Sequence, residues 1–189
     1  MLNREPAHPP LQPIQTLYNG YFFRSRLEAR WAVFMDCLDL GWRYELEGYV
    51  VGGEPYLPDF YLPALDAFLE IKPTAPRFDS REDRVARALS VSAGKPVYLL
   101  YGPLVAPAGF GTDHDFAAAT AYFPEGGDDD PYFWCECVFC GWIGLEFEGR
   151  SARLACGCQA GDRAHNWASR RLLSAYAAAR EMRFEHHRR

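Results

Sequence analysis

Apolar positions recur at helical spacing early in the chain. Leu27, Trp31, Phe34 and Leu38 form one stripe, Ser25 stands where an N-cap belongs and Gly41 closes the run, so a helix is expected over about 24–40. The pattern then changes to strand-like runs. "WRYELEGYVV" (42–51) is rich in aromatic and β-branched residues and is followed by a Gly52-Gly53 turn. "PYLPDFYLP" (55–63) and "AFLEIKP" (67–73) read as two strands joined around Pro63 to Asp66. Helical spacing returns in "SREDRVARALSVSAG" (80–94), with Ser80 as N-cap and Gly94 at the end. "KPVYLLYG" (95–102) is a continuous apolar run of strand length, as expected for a strand covered on both faces. The resulting order α-β-β-β-α-β, with the last strand reached through a helical crossover, predicts an α/β sheet with helices packed on it.

The flanks have a different texture. Residues 1–20 are proline-rich and are expected to lie loose or strapped along the surface. Residues 106–131 are rich in Pro, Gly and acids and read as a linker or long loop. Residues 132–189 hold a cysteine-dense segment and a third helix over "NWASRRLLSAYAAAREMRFE", with Leu172, Leu173, Tyr176 and Ala179 on one side. The division predicted is therefore an N-terminal extension, a core over 21–105, an acidic linker and a metal-binding C-terminal segment.

Of the 189 residues, 49% are hydrophobic, enough for a core without staples. No apolar stretch is long enough for a membrane span, and "MLNREPAHPPLQPIQ" lacks the apolar run of a secretory signal, so a cytoplasmic location is expected. The net charge of −5 argues against non-specific coating of nucleic acid. Its distribution leaves room for a local basic face. Residues 106–149 carry nine acids and no Lys or Arg, whereas residues 150–189 carry nine Arg against three acids. Lysine is used at only two positions, Lys72 and Lys95, which makes a lysine inside a strand unusual for this chain.

The hairpin over 56–73 combines that lysine with two carboxylates. Glu70 and Lys72 are two apart on a strand and share a face, and Asp59 on the antiparallel neighbour can meet Glu70 across the pair. Two adjacent carboxylates need compensating positive charge, which Lys72 supplies in part. A hard divalent cation with oxygen ligands, magnesium or manganese, would supply the rest. Such a centre suits phosphodiester hydrolysis, the metal polarising the phosphoryl group and lowering the pKa of water while the ammonium orients or deprotonates that water. Glu28, in the first helix, is a further carboxylate within plausible reach of the metal or of Lys72. A solvated amphipathic hairpin would show the same alternation.

"PDF", then eleven residues from Asp to Glu, then "EIK" is similar to the Asp…Glu-x-Lys signature of the PD-(D/E)xK nuclease superfamily. The inferred element order over roughly 18–102 resembles the superfamily's restriction-endonuclease-like core. "FRSRLEARWA" resembles the first helix of members with an extra acid there, such as Holliday-junction resolvases and transposon-end nucleases. The resemblance implies that Asp59 and Glu70 are metal ligands joined by the carbonyl of Ile71, that Lys72 is catalytic and that Glu28 is auxiliary. The expected function is a magnesium-dependent DNA endonuclease or nickase. The alternatives are a catalytically silent nucleic-acid-binding or assembly protein and a nuclease subunit that needs a partner protein; a homodimer would let one chain reach both strands.

Five of six cysteines crowd into 24 residues, a density that points to metal. Cys137-Val-Phe-Cys140-Gly is similar to a zinc knuckle, and Cys156-Gly-Cys158 follows fifteen residues later, resembling a zinc ribbon whose second half is C-x-C. The intervening residues alternate around Gly149 as a hairpin would. Two thiolates from each end would close a structural tetrahedral zinc site. Cys135 is an alternative ligand, His165 a more distant candidate, and Cys37 is expected in the core. Arg24, Arg170 and Arg171, with Arg163, Arg180 and Arg183 nearby in the C-terminal segment, are candidate phosphate contacts. A solvated helix face, or pairing with the acids of 125–130, explains the C-terminal arginines equally well.

Overall fold

The computed structural model describes residues 13–107, 116–158 and 164–184. It opens with a tight hairpin, β1 (Thr16–Tyr18) and β2 (Tyr21–Phe23), turned at Asn19-Gly20. The first helix, α1 (Arg26–Cys37), starts on the cap Ser25 and is shorter than its apolar stripe. Leu38 leaves helical geometry and Asp39 takes a left-handed conformation (φ 56°), which turns the chain before Gly41 is reached. Cys37, expected in the core, lies on the exposed side of the last turn.

The segment 42–51 forms two strands rather than one. Glu45 adopts φ 47°, separating β3 (Arg43–Tyr44) from β4 (Tyr49–Val51), which leaves the main sheet to pair with β5 (Glu54–Tyr56). The segment 55–63 divides likewise, its second part being β6 (Phe60–Leu62). β6 pairs antiparallel with both β3 and β7 (Ala67–Ile71). The second helix, α2 (Arg81–Ala93), runs from Ser80 to a left-handed Gly94 and crosses over to β8 (Val97–Tyr101), parallel to β7. Apart from the inserted β4–β5 hairpin, the expected α-β-β-β-α-β order holds.

The expected linker over 106–131 does not hold for its described second half. Residues 118–122 form the fully buried strand β9, and β10 begins at Asp128. β9 pairs with β8, β10 (Asp128–Glu136) with β9, and β11 (Ile143–Phe147) with β10, all antiparallel. The result is one mixed seven-stranded sheet in the order β11-β10-β9-β8-β7-β6-β3. The residues after Gly149 form a one-turn 3-10 helix (Ser151–Arg153), not the return strand of a hairpin. The third helix, α3 (Arg170–Glu181), starts on Ser169 and is shorter than expected.

Both faces of the sheet are covered. On one, Leu69 and Ile71 of β7 belong to the same apolar cluster as Trp31 and Phe34 of α1, Trp134 of β10 and Tyr176 of α3. The Phe34 ring lies 4.6 Å from that of Tyr176 and 5.5 Å from that of Trp134. On the other face, Phe68 packs with Leu89 of α2, Val51 of β4 and Phe133 of β10. The cysteine-bearing strands therefore share the core of the N-terminal half. Glu70 lies between Leu69 and Ile71 on the α2 side of a strand buried along its whole length, which is why its charge is costly and must be answered locally. Among the described residues, no helix is long and apolar enough to cross a membrane.

Candidate active site and cysteine cluster

Two strand ends and a helix start bring the charges of the hairpin together. The β6–β7 register pairs Phe60 with Leu69, so the position before β6, Asp59, falls opposite Glu70. The Asp59 amide donates to Glu70 Oε1 at 3.3 Å, and the Ile71 amide donates to Asp59 Oδ2 at 2.8 Å. Lys72, just past β7, is fixed by its backbone N–H, which donates to the Leu100 carbonyl at 2.8 Å. Its Nζ lies 3.1 Å from Glu70 Oε2 and 4.0 Å from Asp59 Oδ2. Asp59 and Glu70 are 3% and 2% exposed, yet they border an open cleft of ≈ 380 Å³ whose rim includes Arg81 and Glu82 at the start of α2.

Two residues of this constellation carry no sequence signature. Arg24 Nη2 lies 2.5 Å from Asp59 Oδ1 while its Nε reaches Glu45 Oε1 at 2.9 Å, so the arginine expected to meet phosphate rests on the aspartate. Tyr56, on β5, lines the same cleft within reach of the Glu70 charge. Burial, and then the negative charge of Glu70, pushes the tyrosine far above its ordinary pKa, so it stays a neutral phenol. Ile71 lines the cleft and enters the network through its N–H.

Glu28 borders the same cleft, but its carboxylate is engaged by the fold. Ser25 Oγ donates to Oε1 at 2.7 Å, Tyr44 Oη donates to Oε2 at 2.7 Å, and the Arg24 amide reaches Oε2 at 3.2 Å. In return the Glu28 amide donates to Ser25 Oγ at 3.1 Å. Ser25-x-x-Glu28 has the sequence of a capping box, with the carboxylate returning to the amide one residue before the cap, and this is an unforced alternative to a metal-ligand role. Replacing Ser25 by Ala is expected to cost about 1 kcal/mol, read as a fall in thermal midpoint of about 2–4 °C. An unchanged midpoint would show that the box does not hold the start of α1.

Burial and then the nearby Glu70 carboxylate raise the Asp59 pKa well above the carboxylate range, to about 7, even though Lys72 opposes the shift. Lys72 moves the other way from what burial alone would do. Desolvation works against its charge, but Glu70 and then Asp59 more than offset it, so it is an ammonium. In this arrangement Lys72 supplies charge and hydrogen bonds and does not act as a base.

The cysteines make a second cluster. Cys137 follows the end of β10, Cys140 sits in the turn before β11, and Cys156 and Cys158 follow the 3-10 helix; their sulfurs all lie within 4.8 Å of one another, so the four could hold a metal ion such as zinc. The amides of Cys140 and then Phe139 bond to the Cys137 sulfur and lower its pKa to about 7, as suits a thiolate ligand. Cys135 is not one of the four. It is buried, and desolvation raises its pKa, the environment of an apolar thiol packed near Leu154. His165 also lies apart, its Nδ1 2.9 Å from the Glu148 carbonyl and its ring against Trp167.

Among the arginines, Arg170 is exposed at the first position of α3. Arg171 is used internally, donating to Glu136 Oε1 at 3.0 Å and to the Gly141 carbonyl at 2.8 Å, which ties α3 to the cysteine turn. Arg163 lies outside the described residues. Two of the acids of 125–130 are answered from the N-terminal half, Asp128 by Arg87 at 2.9 Å and Asp130 by the Tyr101 hydroxyl at 2.7 Å. Compared with protein-family models, with curated proteins and with solved structures, the chain matches none.

Proposed function

We propose that the protein is a magnesium-dependent DNA endonuclease of the PD-(D/E)xK kind, with the Asp59–Glu70–Lys72 cleft as its active site. The observation that carries the reading is that two buried carboxylates flank one ammonium at the floor of an open cleft. The run α1, β3, β6, β7, α2, β8, with Asp59 just before β6 and Glu70 on β7, supports a restriction-endonuclease-like core.

The donor set fits a hard cation: two carboxylates, one of them pushed up in pKa by burial and then by the charge of the other. Asp59 and Glu70 would hold it. When bound, magnesium supplies Lewis acidity to the phosphoryl group and to the attacking water. The remaining work falls to this chain's side chains. Lys72 holds a positive charge beside Glu70 where charge develops on the phosphate. The Asp59 amide keeps the Glu70 carboxylate oriented, and the Ile71 amide does the same for Asp59. Arg24, half exposed and resting on Asp59, is placed to move from the aspartate to a substrate phosphate. Glu28 positions Arg24 through its backbone and the start of α1. The four-cysteine cluster is read as a structural zinc site, since four protein ligands leave no open position.

Supercoiled plasmid incubated with magnesium or manganese is expected to be nicked or linearised, and EDTA to stop it. The Arg24–Asp59 pair favours one rival, a silent nucleic-acid-binding protein whose aspartate is permanently neutralised by arginine. DNA binding without cleavage under any divalent metal would select that rival.

The metal reading also carries a sign in pH. The folded-state pKa of Asp59 lies above its unfolded value, so ionising it costs stability as pH rises toward about 7. A cation bound to the carboxylate must displace that proton below about pH 7 and relieves the cost above it. Magnesium or manganese is therefore expected to bind about tenfold more tightly at pH 8 than at pH 6 and to raise the thermal midpoint more at pH 8. An equal or smaller shift at pH 8 would contradict it.

A further inference from the structure

A second hollow opens beside the Asp59–Glu70 cleft. It holds ≈ 500 Å³ and shares Pro13, Ser25, Glu28 and Ile71 with the cleft, so the two are continuous. Three parts of the chain build its apolar walls. The first turn of α1 contributes Leu27. Ile71 ends β7, and Pro73 follows on the far side of Lys72. The segment before β1 contributes Pro13 and Ile14, and it is tied down, because the buried Thr16 donates its hydroxyl to the Ile14 carbonyl at 2.9 Å. The Ile14 side chain is nonetheless left half exposed.

The polar residues of the hollow are Ser25, Arg26 and Glu28. Two of them are committed to each other. Ser25 Oγ donates to Glu28 Oε1 at 2.7 Å and accepts from the Glu28 amide at 3.1 Å, while Tyr44 donates to Glu28 Oε2 at 2.7 Å. The hollow is therefore mainly aliphatic where the cleft is charged, and its size falls within the about 300–1,000 Å³ of ordinary ligand sites. An occupant must present an apolar face within a short reach of the group seated on the carboxylates. A nucleotide does so, since its flat base stands one sugar away from its phosphate. In a paired duplex that face is hidden in the stack and extruding it is costly, whereas an unpaired base gives up little.

We propose that the hollow receives the base beside the scissile phosphate, and that the substrate is DNA with unpaired nucleotides at the cleavage position; the assignment rests on the hydrolytic reading of the Asp59–Glu70 cleft. The base packs between Ile14 and Leu27 while its phosphate lies against Lys72. Because Ser25 and Glu28 already satisfy each other, packing holds the base and its identity matters little.

The test is fluorescence anisotropy with two DNA probes, a duplex carrying a short single-stranded gap and the same duplex fully paired, in buffer without added divalent cation. The unaltered protein is expected to bind the gapped probe about tenfold more tightly, whichever base stands in the gap. Ile14→Ser and Leu27→Ala are each expected to remove most of that preference. Affinity for paired duplex and its dependence on salt should stay unchanged, since neither substitution removes a phosphate contact. Ile14 is half exposed, so its variant retains the fold even if Leu27→Ala does not. Equal binding of the two probes by the unaltered protein, or a full preference in Ile14→Ser, overturns the assignment. Two rival occupants have their own signatures. If deletion of residues 1–12 raises affinity for the gapped probe about tenfold, the chain's own N-terminus fills the hollow. If the protein is a dimer that Ile14→Ser dissociates while the preference persists, a second copy fills it. Either result overturns the base. A protein with an Ile14-dependent preference that never cuts DNA in magnesium sinks the nuclease reading alone. One that cuts paired and gapped DNA alike, with Ile14→Ser silent, sinks the base site alone.

Discussion

Asp59→Asn is expected to abolish magnesium-dependent cleavage, by at least about 10³-fold, while leaving the protein no less stable at pH 8. The two halves have one cause. Asp59 is buried beside Glu70, and burial followed by that carboxylate's charge raises its pKa, so the folded chain alone resists its ionisation. Asn is close in shape to the protonated acid and can still accept from the Ile71 amide, which donates to Asp59 Oδ2 at 2.8 Å. It loses the charged contact with Arg24, whose guanidinium is half exposed and keeps Glu45 as a partner at 2.9 Å. What Asn cannot do is serve as an anionic ligand to a hard cation. A residue kept for packing would behave in the opposite way, losing stability on substitution and leaving cleavage untouched. Parallel melting curves and plasmid assays distinguish the two.

Removal of the cysteine-bound metal, by a strong chelator or by Cys140→Ser, is expected to lower the thermal midpoint by about 6 °C or more. Structural zinc sites supply about 10–16 kcal/mol to small peptides that have no other core. Here β10 and β11 are also held by the sheet, so a smaller share is expected, at least about 3 kcal/mol, or about 2–4 °C for each. The loss should spread beyond the turn. The Cys137 amide donates to the Trp142 carbonyl at 2.7 Å, Trp134 on the same strand packs against Phe34, and Arg171 bonds the Gly141 carbonyl from α3. Elemental analysis should find one zinc per chain, absent from Cys140→Ser and present in Cys37→Ser, since Cys37 is exposed and outside the cluster. A metal-free protein with an unchanged melting point would refute the assignment.

The parts of the fold that were legible in the sequence are those with local causes. Ser25, Ser80 and Gly94 mark helix ends by capping chemistry, and the chain obeys them. The hairpin register followed from alternation, and it places Asp59 against Glu70. The illegible parts depend on distant residues. β9, Ala118–Tyr122, is mostly alanine and offers little strand propensity, and Asp128 to Asp130 read as loop. Both become strands because β8 and β11 leave edges that demand pairing, and because Arg87 and Tyr101 answer the acids. Within the site, Arg24 and Tyr56 were not legible as neighbours of the carboxylates, since neither lies at a motif position and the chain folds back to place them. The role of Glu28 was legible: Ser-x-x-Glu at a helix start is a capping signal, and reading Ser25 alone left the glutamate free for another use.

The most direct test of the central claim is anomalous diffraction from crystals soaked in manganese. A peak is expected between the Asp59 and Glu70 carboxylates, with the Arg24 guanidinium moved off Asp59. No peak there at manganese concentrations that support activity, with Arg24 still seated on the aspartate, would contradict it.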